Sequence, residues 1–255
     1  MTLSKKVYLV AGVGGGLGTA LVCLLASEGA TVAGVARGSE ALERVAAHAR
    51  ERGWHVATRV ANLMDGAAVA RMVAGVREEF GRLDGVSVNV GHWIGGEALL
   101  HRMSDAEWTD AMRDNLDPVF RVVRAALPVL IGDGGGSLVL VSAAPAVRAA
   151  ASASYAAAKV AVAALVPKLA HDYRPLGVRV NAVLPGSMAN QLDGLDPPAP
   201  DHRIPLTDTT ATGPWEVARA IRYLLSEESR WMTGALLLVD GGASTGAAPG
   251  GSRPP

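Results

Sequence analysis

Tyr155 and Lys159 stand four residues apart in SASYAAAKVAVAALV, Ser152 to Val166, a run otherwise made of alanine, valine, serine and leucine. On a helix that spacing puts both side chains on one face, one turn apart, so a phenol and an ammonium address the same volume. The chemistry open to such a pair is proton transfer. A free phenol with a pKa near 10 is a poor base at neutral pH, and a neighbouring cation that stabilises the phenolate makes it a usable acid or base. Packing alone would use the same residues, with Tyr155 at a contact and Lys159 snorkelling to water, so the elements that position them decide between the two uses.

Those elements alternate. Short apolar runs bounded by turn residues recur at Val7 to Ala11, Thr31 to Ala36, His55 to Val60, Gly85 to Asn89, Ser137 to Val141, Arg179 to Leu184 and Ala235 to Val239. Helix-period segments lie between most of them: Gly16 to Glu28, Ser39 to Arg52, Asp65 to Phe80, Asp105 to Leu130, Ser152 to Arg174 and Pro214 to Ser226. The alternation predicts an α/β fold, a doubly wound parallel sheet with helices on both faces, because each right-handed crossover needs a helix to return the chain. No repeat or change of composition argues for a second domain, so residues 1–242 read as one. The proline-rich stretch Ser187 to Gly213 reads as a substrate lid, and residues 243–255, small and rich in Gly and Pro, as a disordered tail.

Composition narrows the partners. The chain has 255 residues, 49% apolar, with 24 basic and 24 acidic side chains and no long run of either sign. Nothing builds the field of a nucleic-acid or membrane-surface binder, so a small molecule is expected. No uninterrupted stretch of about 18 apolar residues occurs, which predicts a soluble, cytoplasmic protein. The single cysteine, Cys23, sits among leucines and valine and reads as a buried hydrophobe. The six histidines show no i, i+4 pair beside a carboxylate, so no metal is expected, and His48, His101 and His171 read as helix-surface residues.

Directly after the first predicted strand comes AGVGGGLG, with Gly12, Gly16 and Gly18 in a G-x-x-x-G-x-G spacing and Gly14 and Leu17 inside the same turn. Glycine lets a pyrophosphate approach the backbone, and the helix that follows offers free N–H groups and a partial positive charge. This is a dinucleotide turn. At the end of the second strand, where a carboxylate would hold a free ribose 2′-OH, the chain has Ala36 and then Arg37. A guanidinium there suits a 2′-phosphate, so the cofactor expected is NADP(H).

With these features in place the chain resembles the short-chain dehydrogenase/reductase superfamily, in its short single-domain branch, from Lys6 to Gly242. The resemblance rests on the glycine turn, LDGVSVNVG, Asn115 in MRDNLDPVF, GGSLVLVS, YAAAK, VRVNAVLPG and TGALLLVDGG, in this order. It implies a seven-stranded Rossmann-type sheet and a catalytic tetrad. Tyr155 would exchange the proton with the substrate oxygen. Lys159 would stabilise the phenolate and hold the nicotinamide ribose, and Asn115 would support a proton-relay water. The serine has two readings. Counting thirteen residues back from Tyr155 selects Ser142, whereas aligning the strand GGSLVLVSAA puts Ala143 in the catalytic place; Ser142 is taken as the serine. Pro118 removes a helix N–H and crowds the carbonyl of residue 114, which predicts a local irregularity there.

The resemblance also implies cofactor contacts from Asn62 and Leu63, Asn89 and Gly91, Pro185 and Gly186, Met188 and Asn190. Asn62 replaces the usual aspartate, Val90 adds bulk in the N-N-A-G position, and Asn190 replaces the usual threonine. The substrate would lie among His92, Trp93, Pro145, Val147, Met188 and Leu192, which favours a hydrophobic or cyclic carbonyl compound. The helices over Asp105 to Leu130 and Ser152 to Arg174 are apolar on more than one face, so the expected assembly is a homotetramer, or a dimer. The function expected is an NADPH-dependent carbonyl reductase, or alcohol dehydrogenase in reverse. Two alternatives stand beside it: reduction of a C=N or C=C bond in a biosynthetic pathway, and a non-catalytic NADP-binding regulator on the same fold.

Overall fold

Seven strands form a single parallel sheet in the order β3-β2-β1-β4-β5-β6-β7. They are β1 (Val7–Ala11), β2 (Thr31–Ala36), β3 (Val56–Val60), β4 (Gly85–Val88), β5 (Gly136–Val141), β6 (Val178–Pro185) and β7 (Leu236–Val239). The computed structural model describes residues 3–95, 99–188, 192–199 and 212–245. The central strands are apolar almost throughout because both faces are covered, the usual condition of a parallel sheet. One layer holds α3 (Gly66–Phe80), α5 (Asp117–Gly132) and α7 (Ala153–Tyr173). The other holds α1 (Leu17–Ser27), α2 (Glu40–Arg52) and α8 (Pro214–Leu225). Cys23 is buried in α1, as its neighbours predict.

The chain starts at the middle of the sheet, winds outward through β2 and β3, and returns to lay β4 on the other side of β1. The strand order reverses between β1 and β4. The crossovers leave a crevice at their carboxyl ends, where a doubly wound sheet binds its ligand. Gly12 and Asn89, the residues that follow these two strands, meet across it: a Cβ on Gly12 would lie 2.8 Å from the Asn89 carbonyl oxygen.

The predicted helix from Asp105 to Leu130 is two helices. α4 (Asp105–Asn115) opens with a capping box between Ser104 and Glu107, and α5 begins at Asp117. Leu116 joins them at φ −114° and ψ −48°. Pro118 has no N–H for the carbonyl of Asp114, and the ladder is interrupted there. A short helix, α6 (Pro145–Ala150), interrupts a stretch that sequence reading leaves irregular. α7 and the turn after it form the one helix among the described residues long and apolar enough to cross a bilayer. Here it lies on the sheet, with Val162, Val166 and Ala170 in the core.

Of the proposed lid, Ser187, Met188, 192–199, Thr212 and Gly213 are described, and Asn190 lies outside the described residues, as do residues 246–255 of the tail. Met188 pairs with Thr212, so the two ends of the excursion meet. Asp196 reaches α2, where its carboxylate is 3.0 Å from His48 Nε2 and pairs with Arg52, while Arg219 of α8 donates to the Pro198 carbonyl at 2.9 Å. His48 is on the surface of α2, as expected, and it is also paired. It is held between this carboxylate and the edge of Trp54, an arrangement set by a segment nearly 150 residues away in the chain.

Candidate active site

The crevice beside β1 opens into a cleft of about 700 Å³ that gathers Gly12, Gly14, Arg37, Asn62, Leu63, Asn89, Gly91 and His92. Its floor is main chain. A Cβ on Gly18 would stand 2.0 Å from the Gly12 carbonyl oxygen, so the turn from Gly12 into α1 closes only with glycine at position 18. α1 carries no acidic residue in its first turn and no side-chain cap at Gly16, which leaves its N–H groups free for an anion. Arg37 is exposed and has no ion-pair or hydrogen-bond partner among the described residues. Ser39, the N-cap of α2, makes no cap hydrogen bond either. Asn89 accepts from Ser87 Oγ at 2.7 Å, yet its buried Nδ2 has no partner among the described residues. Open main chain, an exposed guanidinium and an orphaned amide along one cleft fit a dinucleotide.

Asn62 and Leu63 belong to the same wall by different means. The Asn62 side-chain oxygen accepts from Met64 N–H at 3.0 Å, keeping one lone pair and the amide N–H₂ for a ligand, whereas the Leu63 side chain is part of the core. Pro185 ends β6, and Gly186 passes Asp240 and Thr212 so closely that a Cβ would come within 3.0 Å of Asp240 Cα.

Beyond the cleft the expected catalytic side chains converge from three elements, α4, the end of β5 and α7. Ser152 caps α7 and accepts the N–H of Tyr155 at 3.2 Å, fixing the tyrosine in the first turn. Lys159, one turn on, is 4% exposed; its Nζ donates to the Val90 carbonyl at 3.1 Å and lies 3.4 Å from that of Val141. The ammonium is 5.8 Å from the centre of the Tyr155 ring. Asn115, fully buried at the end of α4, accepts His92 N–H at 2.9 Å and donates to the Ala111 carbonyl at 3.1 Å. Gly91 has φ +152°, and a Cβ there would come within 2.5 Å of Lys159 Nζ. Ser142, 4% exposed, donates its hydroxyl to the main-chain carbonyl of Lys159 at 2.6 Å.

Burial sets the electrostatics. It lowers the Lys159 pKa to about 8 and raises that of Tyr155, so the phenol keeps its proton. The Tyr155 hydroxyl has no hydrogen-bond partner among the described residues. A neutral phenol with an uncommitted proton, one turn from a buried amine, can protonate an oxygen brought to it.

Trp93 packs edge-on against Tyr155, ring centres 5.2 Å apart, and stays 49% exposed. The loop carrying it is tied to the start of α7 by Ser152 N–H to the Ile94 carbonyl, 3.1 Å, and by pairing of Gly95 with Ala151. Pro145 and Val147 stand on α6, whose Ala146 N–H is held by Ser244 Oγ at 3.1 Å. Met188 and Leu192 pack against the core under α1 and α8. Sequence reading missed Ser39, Ala151 and Ser244. A serine before an acidic first turn is a signal for Ser39, but the other two act through long-range contacts with no local pattern.

Comparison with known proteins agrees with this architecture. Residues 12–244 match the family described as enoyl-(acyl carrier protein) reductase. The chain is 33% identical over 247 residues to the 3-oxoacyl-(acyl-carrier-protein) reductase FabG of Thermotoga maritima, covering 95% of this chain and 99% of that one. It is 34% identical to the A-factor type gamma-butyrolactone 1′-reductase (1S-forming) of Streptomyces virginiae, over 94% of this chain and 96% of the relative. The crystal structure of a 3-ketoacyl-ACP reductase from Sinorhizobium meliloti 1021 superposes with a TM-score of 0.83 at 31% identity, over 94% of this chain and 99% of that one. Fold, cleft and relatives together place the chain in the short-chain dehydrogenase/reductase superfamily, as a single-domain NAD(P)-dependent oxidoreductase.

Proposed function

We propose that the protein is an NADPH-dependent carbonyl reductase for a small, hydrophobic or cyclic ketone, acting as the alcohol dehydrogenase in reverse. The observation that carries the reading is the uncommitted Tyr155 hydroxyl above the buried Lys159, at the end of a cleft whose adenosine side holds the unpaired Arg37. Gly12, Gly14, the N-terminus of α1, Asn62, Asn89 and Gly91 would hold the dinucleotide, with Arg37 and Ser39 on its 2′-phosphate. When bound it supplies the hydride. Tyr155 gives its phenolic proton to the carbonyl oxygen. Lys159, anchored to the Val90 and Val141 carbonyls, places its positive charge where the phenolate forms. Asn115 holds the turn at His92 and thereby the path by which Tyr155 is reprotonated from solvent. Trp93 and Val147 offer the apolar wall for the substrate.

The relatives named above are reductases, two of them of 3-oxo or 3-keto substrates, and this supports reduction of C=O. The matched family description names an enoyl reductase, which keeps C=C reduction as the second reading. Exposed Phe120 on α5, Val160 on α7, and Leu236 and Leu238 on the edge strand β7 support assembly into a homotetramer. The test is oxidation of NADPH and of NADH against a panel of cyclic ketones, aryl ketones, cyclic imines and enones. Turnover confined to ketones, with NADPH preferred, is expected. Turnover of imines or enones alone would replace this reading.

A further inference from the structure

Along β5 alternate side chains face opposite layers: Leu138 and Leu140 join the core under α5 and α7, and Val139 and Val141 the core under α1 and α8. Ser142 keeps the sheet register, its N–H donating to the Val183 carbonyl at 3.0 Å, so its side chain follows Leu138 and Leu140 toward α7. There its Oγ donates to the carbonyl of Lys159 at 2.6 Å, seventeen residues on in the chain. A hydroxyl has one proton to give. The next residues, Ala143 and Ala144, have none. The other serines beside Tyr155 are buried: Ser152 Oγ caps α7 and lies 3.2 Å from Ser154 Oγ, and both residues are 4% exposed or less.

We propose, on the basis of the carbonyl-reductase reading, that Ser142 is a positioning residue that pins the main chain of Lys159, and that the reacting edge offers the substrate oxygen a single side-chain hydroxyl, that of Tyr155. Removing one donor from an oxyanion site costs on the order of 10²–10³ in rate. A site built with one donor therefore selects carbonyl groups that stabilise the developing negative charge themselves, those flanked by electron-withdrawing substituents. Ala143 is the position at which a hydroxyl would relax that selection, because it adjoins Ser142 at the carboxyl end of β5 and carries no polar group of its own.

The test compares the parent with Ser142→Ala, Ser142→Thr and Ala143→Ser, each assayed with acetophenone and trifluoroacetophenone and each melted without cofactor. For Ser142→Ala the expected result is a melting temperature lower by about 5 °C, the loss of one buried hydrogen bond in a chain of this size. Its kcat should fall less than about tenfold together with a rise in the KM for NADPH, because a displaced Lys159 affects both proton transfer and ribose binding; Ser142→Thr restores both. Ala143→Ser should raise kcat/KM for acetophenone about tenfold or more and shrink the preference for the fluorinated ketone. A hundredfold loss of kcat in Ser142→Ala, with melting temperature and KM unchanged, would make Ser142 the substrate's donor and overturn the proposal. So would an Ala143→Ser variant identical to the parent. If no form of the protein reduces either ketone, the carbonyl-reductase reading fails, while the melting temperatures of the alanine and threonine variants still decide the pin.

Discussion

The cofactor cleft and the reacting edge lie side by side at the carboxyl ends of the strands, but they are made of different material. The cleft is shaped by main chain: Gly12 and Gly18 touch neighbouring backbone so closely that a Cβ at either would collide. The edge is made of a few side-chain atoms, the Tyr155 hydroxyl, Lys159 Nζ and the Asn115 amide, held by carbonyls and tuned by burial. It follows that the cleft fails when atoms are added and the edge fails when atoms are removed.

The largest effect is expected from removing one atom at the edge. Tyr155→Phe keeps the ring against Trp93 and deletes the proposed proton donor, so kcat should fall about 10²- to 10⁴-fold while NADPH affinity, read by fluorescence titration, stays within about twofold. A fall of less than about tenfold would mean that another group delivers the proton. Adding an atom where the two regions meet comes next. In Gly91→Ala the new Cβ would lie 2.5 Å from Lys159 Nζ and 2.9 Å from Asn115 Oδ1, on a backbone at φ +152° that only glycine adopts without strain. Displacing the ammonium by about 1 Å should cost about a hundredfold in kcat. An alanine variant with parental kinetics would show that the ammonium does not need its place beneath the loop.

A smaller change is expected where the cleft does use a side chain. On the proposed reading Arg37→Ala removes one charge-assisted contact to the 2′-phosphate, and it should raise the KM for NADPH about tenfold while leaving that for NADH unchanged. Equal effects on both cofactors would assign Arg37 to structure instead of selectivity.

The same contrast explains what could be read from the sequence. The glycine turn, Arg37 and the Tyr155–Lys159 spacing are local patterns: the first two line the cleft, and the pair lies one turn apart on α7 as its spacing predicts. An irregularity near Pro118 was foreseen, since a missing N–H acts on its own helix, but the division of the predicted helix into two at Leu116 was not. The direction of the Ser142 hydroxyl was not legible, because it depends on the register of β5 against α7, a tertiary fact in which one residue of slip turns a side chain to the other face. The pairing of His48 was not legible for a related reason. Its partner Asp196 belongs to an irregular segment with no periodicity to place it, and an isolated histidine on a polar helix face carries no mark of being paired.

The smallest expected effect has the opposite sign to the others and separates function from stability at one residue. Burial lowers the Lys159 pKa to about 8, against about 10.4 for an unfolded lysine. Below pH 8 both states carry the proton, and the folded state bears the full cost of holding a buried ammonium. Between pH 8 and about 10.4 the native lysine is neutral while the unfolded one is still charged, so its contribution to stability improves with rising pH. Lys159→Met removes that cost where it is greatest, offset by the lost hydrogen bonds to the Val90 and Val141 carbonyls. The variant should therefore melt about 2–4 °C above the parent at pH 7 and no higher than the parent near pH 10.5, while losing turnover. In the parent, kcat should decline above pH 8 as the ammonium titrates. If Lys159→Met melts lower at pH 7, the bonds to the two carbonyls outweigh the burial, and the lysine supports the fold as well as the chemistry of the edge.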